Sequence, residues 1–381
     1  MRSTSLREVL AGQKVFWVQF GDGNHSRSFQ IERQLAKHSE KLTTITPLGK
    51  SHYQLSTVVF SKRRLRRVLE ITRLFGSLIA DWVLLNYRVL SAPKSNIFFL
   101  SHPSQLAFLL CFPAIYFRKR IVADFYTGLH DTLVLDRAMF RENSLTASFL
   151  LALDKLLLNH TDVVLFDSFS NQRHFTSLAS TKTEIESAVL YPTPPEFFLK
   201  TSKSQREKRD VIFYGKFSPL QGVEHVLEVM SAESCRHLEF TLIGSGQTFT
   251  QGQLSNLPEN VHYLPWLDYE ELAGVVTEHR LALGVFGASR KAKAVFPNKV
   301  VECLSLGVPV ITGKGDISTF FDAIGCVFVE NNSSAAIEHA LLDTLGDRKG
   351  LDRLRREAGT FRERLLSGLQ VDELGKNSLP D

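Results

Sequence analysis

The chain alternates short apolar strands with amphipathic helices, breaks off at a proline-bearing stretch, and then starts the alternation again. The first run begins with KVFWVQF (14–20), followed by the turn GDGNHS and the helix SFQIERQLAKH, where Ile31 and Leu35 share a face and Ser28 reads as a cap. It continues through LTTIT, NIFFL (96–100), a helix near 104–117, RIVADF (120–125), a helix near 144–159 and DVVLFDS (162–168), where Ser168 reads as a helix cap. Strand–helix–strand units of this kind build parallel sheets, because parallel neighbours need a crossover connection. YPTPPEFFLKTSKSQREKRD (191–210) interrupts the pattern with three prolines and scattered charges. Beyond it come VIFYGKF, GVEHVLEVM, EFTLIGSG, VHYLPWL, YEELAGVVTEH, LALGVFG, NKVVECLSL, VPVIT, CVFVEN and SAAIEHALLDTL. The sequence therefore predicts two doubly wound α/β domains, over 1–195 and 209–348, a linker over 196–208, and a charged terminal helix and tail over 349–381. A length of 381 residues agrees, since it exceeds what one ordinary core accommodates.

Other architectures are disfavoured. The best apolar run, Ile97 to Phe117, is interrupted by His102, Pro103, Ser104, Gln105 and Pro113, so it reads as a buried strand and core helix. The first twenty residues carry charges that interrupt a secretory core. Cys111, Cys235, Cys303 and Cys326 stand far apart, without metal-ligand or disulfide spacing, which suits a reducing cytoplasm. A net charge of +5 is too mild to argue for nucleic acid. The first strand is not followed by GxGxxG, which argues against a dinucleotide oxidoreductase.

Three stretches carry chemistry. YGKFSPLQG (214–222) leaves a strand through glycine, lysine and a second glycine, a pattern that fits either a phosphate cradle or an ordinary turn into a helix. SRKAKAVFPNKVVECLSLGVPVIT (289–312) sets Arg290, Lys291, Lys293 and Lys299 before Glu302. Unpaired cations are unfavourable at a helix start, so an anionic ligand is expected there. SKRRLRRVLEITRLFGSLIADWVLLNYRVL (61–90) places five cations in Lys62–Arg67 at the head of an amphipathic helix. It fits an anionic membrane surface or a solvated helix face.

Taken together, GKFSPLQGVEHVLEVM, FTLIGSG, NVHYLPWLDYEEL, LALGVFG and NKVVECLSLGVPVITG resemble, in order and spacing, the family 4 retaining glycosyltransferases of GT-B architecture. FGASRKAKAVFPNKVVE resembles the FGxTxKAxxVIPNKVYE pattern of a bacterial subgroup, and VADFYTGLHDTLVLDR and LLALDKLLLNHTDVVLFDS are similar to further segments of it. The resemblance implies two Rossmann-like domains facing across a cleft, with the terminal helix packing back on the N-terminal domain. It implies transfer of a sugar from a nucleotide sugar to a sugar, lipid-linked or small-molecule acceptor, in glycan or glycoconjugate biosynthesis. The nucleotide sugar is substrate, and no cofactor or metal is implied. Such an enzyme would be cytoplasmic, held at the inner membrane face if residues 61–73 meet anionic lipid. A nucleotide-sugar epimerase or hydrolase of similar shape, or a non-catalytic nucleotide-sugar-binding partner, are the alternatives.

Residue by residue, the resemblance implies that Glu302 holds the ribose hydroxyls and that Lys216 replaces an arginine contacting the donor pyrophosphate. Gly21 and Gly23 would form a glycine loop near the phosphates. Lys291, Lys299 and Asn298 fall on the subgroup's KAxxVIPNK pattern. Asp124, His130 and Asp131, in the 124–131 loop, would face the reacting sugar. Two positions depart from the family. Ala294 stands where the first of two glutamates is usual, and Gln221 stands where a phosphate-binding lysine is usual. Lys291 or Lys293 is expected to restore the missing charge.

Overall fold

A computed structural model describes residues 2–19, 26–46, 64–93, 96–116, 120–179, 185–202, 209–246, 256–320, 324–330, 332–367 and 371. The chain divides into two compact units, Met1–Leu190 and Tyr191–Asp381.

The first unit is built on a seven-stranded parallel sheet. Its strands are β1 (Arg2–Ser3), β2 (Lys14–Val18), β3 (Lys41–Ile45), β4 (Ile97–Leu100), β5 (Arg120–Asp124), β6 (Val163–Phe166) and β7 (Glu186–Val189), in the spatial order β1-β7-β6-β5-β4-β2-β3. β4 and β6 are buried at every position, as expected of strands covered on both faces. Two apolar layers flank the sheet. One gathers Phe98, Leu100, Phe108, Phe125 and Phe166, the other Trp17, Ile31, Phe99 and Leu165. The order in which the chain lays down its strands reverses between β2 and β4, and ligands of open α/β sheets bind beyond the carboxyl ends at such a point.

Several helices of this unit matter below: α1 (Leu6–Leu10), α2 (Ser26–His38), α3 (Arg64–Ser91), α4 (Ser104–Tyr116), α5 (Leu145–Asn159) and α6 (Phe169–Leu178). α2 starts at Ser26, so Ser28 lies inside its first turn instead of capping it. Ser168 does cap α6, its hydroxyl accepting from the Asn171 N–H at 3.1 Å. A wide π-helical turn, Asp131–Asp136, follows β5. β1 and α1 escaped the sequence reading, because a two-residue strand has no periodicity to detect.

The second unit carries a six-stranded parallel sheet of β8 (Arg209–Tyr214), β9 (Phe240–Ile243), β10 (Val261–Leu264), β11 (His279–Leu283), β12 (Val310–Gly313) and β13 (Cys326–Val329), in the order β10-β9-β8-β11-β12-β13. The reversal falls between the central strands β8 and β11. Part of the expected linker is structured: α7 (Glu196–Lys200) occupies its first residues and buries Phe198 completely. α8 (Val223–Ser231), α9 (Tyr269–Thr277), α10 (Arg290–Ala294), α11 (Asn298–Ser305), α12 (Asp316–Phe320), α13 (Ser334–Gly346) and α14 (Arg348–Leu366) follow. α14 buries Leu351, Leu354, Ala358, Phe361 and Leu365 and packs on α7, α11 and α13. Those contacts lie within its own unit. Its arginine Arg362 donates to the carbonyls of Leu199 and Thr201, at 2.9 and 2.7 Å, tying it to the end of α7.

Candidate functional site

At the reversal point of the second sheet, two loops leave adjacent strands and bond to each other. Phe286 N–H donates to the Gln221 carbonyl at 3.2 Å, and Gly287 N–H to the Leu220 carbonyl at 3.0 Å. This closeness fixes Gly222. Its φ is +64°, and a Cβ there would stand 2.7 Å from the Phe286 carbonyl carbon. Gly222→Ala is therefore expected to lower stability by more than about 2 kcal/mol, which urea unfolding would measure, since left-handed backbone alone costs an L-residue roughly 1–2 kcal/mol. The GSG at 244–246 is explained the same way. A Cβ on Gly244 would lie 1.9 Å from the Gly215 carbonyl oxygen, so these glycines serve the contact between the ends of β8 and β9.

Lys299, in the first turn of α11, reaches into this junction. Its Nζ donates to Gln221 Oε1 at 2.6 Å and to the Gly284 carbonyl at 2.9 Å, and lies 3.7 Å from the centre of the Phe213 ring. The residue is buried, and burial pushes the ammonium down to about 7, with Cys303 and Glu302 opposing that shift. The cation beside the Gln221 position is thus Lys299. Lys291, expected to compensate there, is buried within the short helix α10, and Lys293 is exposed on it. Lys216 is exposed just after β8, and Asn298 is half-buried at the start of α11. Ser289 caps α10, accepting from the Ala292 N–H at 3.1 Å.

Glu302, one turn beyond Lys299, is buried and serves two phenols. Tyr214 donates to Oε2 at 3.0 Å, and Tyr269 donates to Oε1. Burial, together with Cys303 and Glu302, holds the Tyr214 phenol well above its ordinary value, so it stays a donor. Tyr269 is fixed in turn by the rings of Phe197 and Phe198, at 5.5 and 5.1 Å. Both carboxylate oxygens thus accept from a phenol, which fixes the orientation of the group at the start of α11.

The first unit gathers its own polar group at the carboxyl ends of β5 and β6. Asp124 does not project as an open catalytic acid. It is 1% exposed and paired with Arg27 of α2, which is 3% exposed, at 2.7 Å. Arg27 also donates to Gln30 Oε1 at 3.1 Å and to the Leu190 carbonyl. Asp167, next along the sheet, accepts from Asn171 at 2.7 Å, and burial pushes its carboxyl up to about 6.

The 128–131 segment is positioned by a residue from α5. Asp154 accepts the N–H groups of Leu129 and His130, each at 2.9 Å, and the Gln105 amide at 2.8 Å. Burial raises its carboxyl to about 6 despite these three donors. Gly128 lies against it, with room for a Cβ only at 2.8 Å from Phe175. His130 is half-buried and Asp131 buried at the entry of the π-helical turn. Gly21 and Gly23 lie outside the described residues.

Sequence reasoning missed Arg27, Tyr214, Tyr269, Gln105 and the positioning role of Asp154. Asp154 lies in the quoted LLALDKLL segment, where an acid on an otherwise apolar helix face was the available signal. The others left none, because the carboxylates they meet are 33 to 97 residues away.

Residues 208–347 match the family model described as Glycosyl transferases group 1. No curated protein matches the sequence. Among solved structures, the chain is similar to a sucrose-phosphate synthase from Thermosynechococcus elongatus, with a TM-score of 0.64 at 14% identity, covering 93% of this chain and 94% of that one. It is similar to HepE from Anabaena, crystallised with UDP and glucose, with a TM-score of 0.56 at 13% identity over 93% and 99% of the chains. It is also similar to a UDP-forming α,α-trehalose-phosphate synthase from Burkholderia vietnamiensis, with a TM-score of 0.57 at 10% identity over 94% and 97%. At such identities the likeness is one of fold, and the fold is GT-B. Residues 208–347 accordingly match a glycosyltransferase group 1 domain, in a chain whose fold is GT-B.

Proposed function

We propose that the protein is a glycosyltransferase that moves a sugar from a nucleoside diphosphate donor to an acceptor hydroxyl, with retention at the anomeric carbon. The observation that carries this reading is Lys299, a buried cation set at the reversal point of the donor-side sheet, with its Nζ 2.6 Å from Gln221. Its neutral partners, Gln221, the Gly284 carbonyl and the Phe213 ring, hold the ammonium in place, and a diphosphate at this point would supply the anion that a buried cation favours. As the bond between the anomeric carbon and the β-phosphate oxygen breaks, the departing diphosphate gains negative charge and the sugar gains positive character. A preorganised ammonium stabilises the first of these most in the transition state. Lys216 and Lys291 add positive potential, and Glu302, its carboxylate oriented by Tyr214 and Tyr269, holds the ribose hydroxyls. Retention rests on the family resemblance and means that the acceptor attacks from the face the diphosphate leaves.

On the N-terminal side, His130 and Asp131 serve the acceptor, on a segment whose backbone Asp154 fixes. The acceptor belongs to glycan or glycoconjugate synthesis, and UDP is the first nucleotide to try, since HepE of the same fold was crystallised with it.

A thermal-shift panel of nucleoside diphosphates and their sugars tests the reading. A ligand at a hundred times its Kd stabilises by about 2.7 kcal/mol, enough to raise the melting temperature by several degrees. A panel in which nothing shifts the transition removes the donor site. Binding accompanied only by slow donor hydrolysis, across acceptors of all three kinds, removes the transferase reading while leaving the site.

A further inference from the structure

The helix α3 has a second face that the proposed chemistry does not use. Ile79, Trp82, Val83, Tyr87 and Leu90 are all exposed, Ile79 and Tyr87 by about two-thirds (65% and 67%). Their spacing of three and four residues puts them on one side of the helix. The other side is the packed one. Asp81, Leu85, Asn86 and Val89 are buried, and Asn86 donates to the Leu110 carbonyl of α4 at 2.8 Å. Five large apolar side chains in a row are more than a solvated helix needs, and monomers rarely leave such a stripe uncovered.

Charge identifies what covers it. The 28 residues of α3 include Arg64, Arg66, Arg67, Arg73 and Arg88 against two acids, Glu70 and the buried Asp81. Four of the arginines precede the apolar stripe, in the first ten residues. A cationic head, an apolar flank and an exposed Trp and Tyr match the layered chemistry of an anionic bilayer surface: phosphate heads, acyl chains, and the boundary where amphipathic rings sit. A second copy of the chain offers no matching anionic strip on this helix. Among the described residues no helix is long and apolar enough to cross a membrane, so the contact is one of lying on the surface.

We infer that α3 docks the protein on anionic lipid bilayers, through the stripe Ile79, Trp82, Val83, Tyr87 and Leu90 and the arginines that precede it. Each cation near such a surface adds about fivefold to the binding constant, and the gain is lost as salt rises. The test is flotation of the full chain with vesicles of phosphatidylcholine alone or mixed with phosphatidylglycerol. Recovery with the mixed vesicles is expected to exceed that with neutral ones at least tenfold at low salt. Val83→Asp with Tyr87→Ser is expected to cut it at least tenfold, with an unchanged melting curve, since both side chains point to solvent. Arg66→Gln with Arg67→Gln tests the charge separately and should erase the preference for anionic lipid. Equal recovery with both vesicle types, no flotation with either, or a variant that floats like the parent overturns the proposal. So does a dimer, by sedimentation equilibrium, that Val83→Asp with Tyr87→Ser disperses.

Discussion

Replacing Lys299 with methionine is expected to weaken nucleoside diphosphate binding about 10- to 100-fold below pH 7, the loss typical of a charge-assisted hydrogen bond to phosphate. Its dependence on pH is more telling. In the free protein the ammonium titrates near 7, because burial outweighs Cys303 and Glu302. A bound diphosphate favours the charged form and raises that value. Below about pH 7 the lysine is already charged, and its contribution to affinity is flat. Above it, binding must take up a proton, so affinity falls by up to tenfold per pH unit. Isothermal calorimetry in buffers of different ionisation enthalpy should show this uptake at pH 8, and the methionine variant should lack it. Folding responds in the opposite sense. The unfolded lysine titrates near its ordinary 10.5, so between about 7 and 10.5 the unfolded chain holds more protons and stability rises with pH. That contribution is complete above 10.5 and lost as pH falls through 7, and the variant should not show it. Affinity equal to the parent's, or a Kd independent of pH from neutral upward, would falsify the role given to Lys299.

The same residue shows where the sequence stops informing. β8, β11 and β12 announced themselves as apolar runs bounded by glycines and polar turns, because strands buried on both faces leave little choice of residue. Gly307 ends α11 with φ +72°, as its position after the last apolar turn foretells. Such features are local, and local chemistry is written in consecutive residues. The partner of Gln221 is 78 residues away, and nothing near KAKAVFPNK says which of its lysines reaches back. Counting cations gave Lys291 and Lys293. Helix geometry gives Lys299, because the first turn of α11 is the one that faces the ends of β8 and β11. α7 was hidden for another reason: three prolines and a run of charges outweighed the short EFFLK segment, whose burial of Phe198 is a tertiary event.

Asp124→Ala is expected to destabilise the N-terminal unit by about 3–5 kcal/mol, because it strands the Arg27 guanidinium in a place where both partners are buried. In the sequence Asp124 reads as a reacting-sugar contact, and loss of activity in the alanine variant would look like support for that. The ion pair gives the loss a different cause. Replacing both partners, Arg27→Met with Asp124→Leu, removes the unpaired charge and should restore most of the stability, since a buried pair often exchanges for apolar residues at little net cost. A catalytic carboxylate makes the opposite forecast: the double variant would be stable and inactive, and Asp124→Asn, which keeps the shape, would be folded but slow. If Asp124 acts through Arg27, the asparagine variant instead melts at lower temperature and retains its kcat once folded. Urea unfolding and single-turnover rates on the three variants separate the cases. A single-alanine variant with unchanged stability and abolished turnover would return Asp124 to the reaction and leave His130 and Asp131 with a third partner.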